Sequence, residues 1–104
     1  MDMTDTATNR NEILKALSHP KRVEMLGWLK EPEAHFTDQH LPLDLGVCAS
    51  QFERCGLSQS TVSAHLASLQ RAGLVTTQRV GQWILYKRNE AIIGRFLDEL
   101  KSAL

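Results

Sequence analysis

Residues 57–75 read LSQSTVSAHLASLQRAGLV. Ser58 is a good helix start, because its short oxygen can accept an otherwise unpaired amide N–H of the first turn. Val62, Leu66 and Leu69 follow at i, i+4 and i+7, one apolar stripe along a helix. Gly73 ends the pattern, where a left-handed cap costs a glycine little. The spacing therefore predicts a helix over residues 58–72. Just upstream, Leu45–Arg54 reads as a short helix with Val47, Cys48 and Phe52 apolar, and Gly56 supplies a turn. A short helix, a glycine turn and a capped helix make a helix-turn-helix candidate. Downstream, Leu74–Arg79 and Trp83–Arg88 are β-prone runs around Gly81, so residues 74–88 read as a hairpin placed as a wing.

Working outward, Asn11–Ser18 carries Ile13, Leu14 and Leu17 at helical spacing. His19-Pro20 opens a second helix, since proline suits a first helical position whose N–H would be unpaired anyway. Its apolar residues are Val23, Leu26, Trp28 and Leu29, and Glu31-Pro32 ends it. Residues 31–43 form a long connection with two prolines and no periodicity. Residues 90–104 form a final helix with a wide apolar stripe: Ile92, Ile93, Phe96, Leu97, Leu100 and Leu104. The fold class is mainly α with a β-hairpin, in the order helix, helix, helix, turn, helix, hairpin, helix. Residues 1–8 are polar and read as frayed.

The chain has 104 residues, 42% of them hydrophobic and 23% charged, which fits one folded domain. No apolar run is long enough to span a membrane. The first residues lack the basic start and apolar stretch of a secretion signal, so a cytoplasmic location is expected. The formal net charge is zero, yet no Asp or Glu occurs between Arg54 and Arg88, while five Lys or Arg do. The rest of the chain carries seven basic and twelve acidic residues. This asymmetry concentrates positive potential on the helix-turn-helix and wing.

The run from Leu57 to Val75, with Leu17-Ser18-His19-Pro20-Lys21-Arg22 before it and Arg79, Gly81 and Tyr86 after it, resembles the ArsR/SmtB family of bacterial repressors. The likeness covers roughly residues 11 to 103; the 31–43 loop departs from shorter members. The resemblance implies a homodimer built from the first and last helices, with residues 58–72 as recognition helix. It also implies repression at an operator, relieved by an inducer. The residues agree independently: Gln59, Ser60, Thr61 and Ser63 are short donors and acceptors at the helix start, and Gln can pair with adenine through two hydrogen bonds. The candidate DNA-contacting set is Ser58, Gln59, Ser60, Thr61, Ser63, Arg71, Arg79 and Lys87. Arg71 also complements the helix dipole. The candidate dimerisation set is Ile13, Leu14, Leu17, Ile93, Phe96, Leu97 and Leu100, a stripe that one small domain does not easily hide. A two-fold dimer calls for a double-stranded operator with an inverted repeat.

Other residues read as structural. His65, among apolar positions, is expected to pack or to bond backbone, and Trp28 and Trp83 to pack in the core or on the hairpin. Cys48 resembles one thiol position of the family's metal sensors, but Gly46 and residues 50–52 remove the neighbouring thiols that a soft metal needs. The final helix offers only Asp98 and Glu99 in its second half, and no histidine follows His65. His35, Asp38 and His40 in the loop have zinc-compatible chemistry at loose spacing, and no resident metal or cofactor is expected. Cys48 and Cys55 would lie about 10 Å apart on one helix, too far for a disulfide, which needs Cα atoms within about 7 Å. Two readings of these thiols stand: inert buried cysteines, or a thiol sensor in which Arg54 lowers the pKa of Cys55. No hydrolase, phosphate-loop or metalloprotease motif occurs, so the chain is not expected to be an enzyme. The chain reads as a sequence-specific DNA-binding regulator. The alternative is a winged-helix protein-interaction module without DNA binding, which an acidic recognition surface would have favoured.

Overall fold

The computed structural model describes residues 9–36 and 39–104. The expectation for residues 1–8 and the candidate ligand Asp38 lie outside the described residues. Helix α1 (Arg10–Leu17) starts at Asn9, whose side chain accepts from the Glu12 N–H at 3.2 Å. Helix α2 (Pro20–Lys30) has Pro20 in its first turn, as the sequence predicts.

The connection that follows is not structureless. Pro32 sits in the first turn of a one-turn helix α3 (Pro32–His35), after which Phe36 is fully buried. The predicted helix over Leu45–Arg54 is also divided. A 3₁₀ turn at Leu43–Leu45 leads into strand β1 (Val47–Cys48), and helix α4 is only Ala49–Glu53. Gly46 makes the difference, with φ at +131°, a conformation L side chains rarely adopt. A Cβ there would lie 2.9 Å from Leu85 Cβ, so only glycine lets the chain come this close to the next strand. Val47 then pairs with Tyr86 and Cys48 with Leu85.

Helix α5 (Gln59–Arg71) is capped by Ser58 and followed by Gly73 at φ +81°. Strands β2 (Val75–Val80) and β3 (Trp83–Arg88) form the predicted hairpin, and β1 extends it to an antiparallel sheet of order β1-β3-β2. Helix α6 (Glu90–Ala103) is capped by Asn89, whose Oδ1 accepts from the Ile92 N–H at 3.2 Å.

The core draws on every layer: Ile13 from α1, Met25 from α2, Phe36, Phe52 from α4, Val62, Leu66 and Leu69 from α5, and Leu85 from β3. Phe36 and Phe52 meet edge to face at 5.0 Å between ring centroids, a favoured aromatic geometry. Trp28 packs at the edge of this cluster, 6.3 Å from Phe52. Trp83 lies on the hairpin, at the start of β3, and is 42% exposed.

Candidate nucleic-acid interface

The geometry of α5 is set at its first turn. Ser58 Oγ accepts from the Thr61 N–H at 3.2 Å and donates to Thr61 Oγ1 at 2.8 Å. Two of the candidate contact residues thus use their hydroxyls to hold the helix start. Gln59, Ser60 and Ser63 are exposed beside them. One side of α5 is buried through Val62, His65, Leu66 and Leu69. The opposite side continues from Ser60 and Ser63 through Ala64, Ala67, Gln70 and Arg71, all exposed. The helical spacing of Ser60 and Ser63 leads directly to Ala64, Ala67 and Gln70, which the sequence reading passed over, and to Arg71, which it included. Small side chains there leave the helix axis free to approach a groove closely.

His65 anchors the buried side. Its Nδ1 accepts from Arg22 Nε at 3.1 Å, and the His19 ring stands edge-on at 5.0 Å. The partner is a side chain of α2, rather than backbone. Burial, followed by the positive charges of Arg22, His19 and Lys21, holds the imidazole below its usual pKa. Arg22 also donates to the Ala16 carbonyl at 3.4 Å, so one guanidinium ties α1, α2 and α5 together.

In the wing, Arg79 lies opposite Ile84 and donates to the Gly81 carbonyl at 3.1 Å, next to the hairpin tip. Lys87 lies opposite Thr76 at the hairpin root. Strand alternation puts these two cations on opposite faces, so the structure does not gather them into one patch. Arg71 is exposed in the last turn of α5, where Nη2 donates to Ser68 Oγ at 3.2 Å. Arg88 is spent on structure, donating to Glu90 at 2.7 and 3.1 Å and to the Leu26 carbonyl at 3.4 Å.

The candidate dimerisation set divides in two. Ile13 and Phe96 are buried within the single chain, at 0% and 3% exposure. Leu17, Ile93 and Leu100 pack partly against the same core. Leu14 at 46% and Leu97 at 56% remain as the exposed apolar side chains of α1 and α6.

The thiols also differ from expectation. Cys48 is buried in β1 and Cys55 is half-buried beyond the end of α4, so they do not share a helix face. Burial pushes both thiols up, and the charge that opposes this at Cys55 belongs to Lys21, not to Arg54. Among the described residues, no three His, Cys, Asp or Glu side chains gather as a metal site, and His35 and His40 are exposed.

A capped, exposed helix behind a helix-turn and beside an antiparallel wing defines a winged helix-turn-helix, the architecture of a DNA-binding transcriptional regulator. The family model for bacterial regulatory proteins of the arsR family matches residues 52–77, the heart of this motif. The chain is 43% identical over 97 residues to the uncharacterized HTH-type transcriptional regulator YbzH of Bacillus subtilis, covering 89% of this chain and 96% of that one. It is 36% identical to the transcriptional activator HlyU of Vibrio cholerae over 88 residues, 85% of this chain and 70% of that one. Among solved structures, an ArsR-like transcriptional regulator from Rhodococcus superposes with a TM-score of 0.66 at 26% identity, covering 90% of this chain and 77% of that chain. The chain belongs to the arsR family of bacterial regulatory proteins. It is a transcription regulator and not an enzyme.

Proposed function

We propose that the chain acts in the cytoplasm as a homodimeric repressor that binds an inverted-repeat operator. In this reading the exposed face of α5 enters the major groove, where Gln59, Ser60 and Ser63 meet base edges and phosphates. Ser58 and Thr61 hold the helix start, and Arg71 neutralises backbone charge together with Arg79 on one face of the wing and Lys87 on the other. The observation that carries the reading is the exposed polar start of α5, set in a stretch with no carboxylate from Arg54 to Arg88. The dimer forms through α1 and α6 around Leu14 and Leu97. No helix among the described residues is long and apolar enough to cross a membrane.

The test is operator binding by Gln59→Ala and Ser63→Ala, two changes that leave the Ser58–Thr61 cap intact. Both are expected to weaken operator binding more than binding to bulk DNA. Equal loss on both would show that these side chains only position the protein. Three cations per protomer, doubled in a dimer, predict a slope of log affinity on log salt of about −5, at about −0.9 per phosphate contact. The Vibrio relative is named an activator, so a reporter gene behind the operator decides the direction of control. Lower expression with the protein supports repression, and higher expression overturns it.

A further inference from the structure

Beneath the outer part of the wing, a cavity of about 180 Å³ opens between β3, the start of α4 and the segment before β1. Its rim is preformed. Gln39 Nε2 donates to the Leu41 carbonyl at 3.0 Å and to the Gly46 carbonyl at 2.8 Å, while Gln39 Oε1 accepts from the Cys48 N–H at 2.8 Å. One amide therefore straps the rim to the root of β1, so a ligand entering the cavity meets walls already in place.

The walls show what it would take. Leu41 and Cys48 supply apolar surface, and Trp83 adds an indole that is 42% exposed although its neighbour Leu85 is fully buried. Among the described residues no Asp, Glu, Lys or Arg lines the space, and its remaining polar walls are His40 and Ser50. A charged ligand would lose its hydration without a counter-charge, which is costly. Gln51 also lines the cavity and is 8% exposed, and its Oε1 has no hydrogen-bond partner. Buried carbonyls are nearly always paired, so an unpaired one marks a place for a donor. Oε1 itself is buried, and a turn of the amide brings it to the cavity, where a donating hydroxyl satisfies it and an ether does not. A cavity of about 150 Å³ holds one benzene ring, so this one fits a single ring with one small substituent.

We propose that this cavity binds a small uncharged aromatic alcohol, its ring against Trp83 and its hydroxyl on the Gln51 amide. The site joins the wing to α4, the helix that leads into the turn before α5. It thus lies between the two elements that the fold presents to DNA. Binding itself requires no DNA, so it is testable separately from the operator reading.

The experiment is a titration of the ¹⁵N-labelled full chain with phenol, anisole and benzoate. The indole N–H signals of Trp28 and Trp83 are followed, assigned with Trp83→Phe. Phenol is expected to shift the Trp83 signal saturably and leave Trp28 unmoved. Anisole, which cannot donate, should bind about tenfold more weakly, the worth of one good hydrogen bond. Benzoate should bind more weakly still. Gln51→Leu should reduce phenol binding to the anisole level. In Trp83→Ala, an exposed change that spares the core, the Gln51 side-chain amide signal should need about tenfold more phenol to shift. A shift that never saturates, equal shifts at both tryptophans, or phenol, anisole and benzoate binding alike would each overturn the proposal.

Discussion

Two neighbouring residues of α6, Phe96 and Leu97, carry opposite expectations. Phe96 is 3% exposed and belongs to the core of one chain. Truncating such a phenylalanine costs about 3–5 kcal/mol, against a total stability of about 5–15 kcal/mol for a domain. At about 4–8 °C per kcal/mol for a chain this size, Phe96→Ala should lower the melting temperature by well over 10 °C. Leu97 is 56% exposed. Complete burial of a leucine is worth about 1.5–3 kcal/mol, so covering the exposed half contributes about 1 kcal/mol. The proposed two-fold interface counts it twice, so Leu97→Ala should weaken the proposed dimer by about 2 kcal/mol, roughly thirtyfold. Leu97→Asp adds the cost of burying two carboxylates, several kcal/mol each, and should yield folded monomers. Light scattering across a concentration series, with thermal melts monitored by circular dichroism, separates the effects. A Leu97→Asp protein that stays dimeric at micromolar concentration would refute the placement of the seam on α6. A Phe96→Ala protein that melts like wild type but dissociates would refute the division between core and interface.

Replacing Ser58 with Ala removes the cap on the Thr61 N–H and should cost about 1 kcal/mol, read in urea unfolding, while Ser60→Ala should cost far less. His65 is held neutral in the folded state, its pKa below the unfolded value of about 6.5. The unfolded chain therefore binds more protons as pH falls, so this contribution is complete above about pH 6.5 and is lost as pH drops through the folded pKa. Urea midpoints at pH 7.5 and 5.0 should differ in that sense, and by less in His65→Gln. Gly46→Ala meets both a positive φ and a Cβ contact 2.9 Å from Leu85 Cβ, so it should destabilise by more than about 1 kcal/mol. It should also loosen the Gln39 strap that holds Gly46 and Cys48, and so expose the Cys48 amide to hydrogen exchange; unchanged exchange would show that the strap survives without glycine.

Helix α5 was legible because its signals are local: a capping serine, three apolar residues at fixed spacing and a glycine at the end. The wing was legible for the same reason. Strand β1 was not, because two residues carry no periodicity and their pairing is decided by β3, which lies nearly forty residues further along the chain. Helix α3 escaped notice because one turn is too short for an apolar stripe, although Pro32 gave a start signal. The stripe on α6 was visible, but a sequence does not say which part of a stripe the chain keeps for itself. Packing within the single chain assigns Phe96 and Ile13 to the interior and leaves Leu14 and Leu97 outside. Arg54 was paired with Cys55 by adjacency alone; the fold brings Lys21 from α2 to that thiol instead.

The clasp between β1 and the wing turns the hairpin into a lever. Its fulcrum is the pairing at Leu85 and Tyr86, and beyond it the strands run on to Gln82 at the tip without a third strand beside them. Three residues of strand span about 10 Å at about 3.3 Å each, so a tilt of about 10° at the fulcrum swings the tip by nearly 2 Å. Hydrogen-bond lengths tolerate only about 0.5 Å. A small displacement at Gly46–Cys48 is therefore enough to move Arg79, beside the tip, by several times the tolerance of a hydrogen bond.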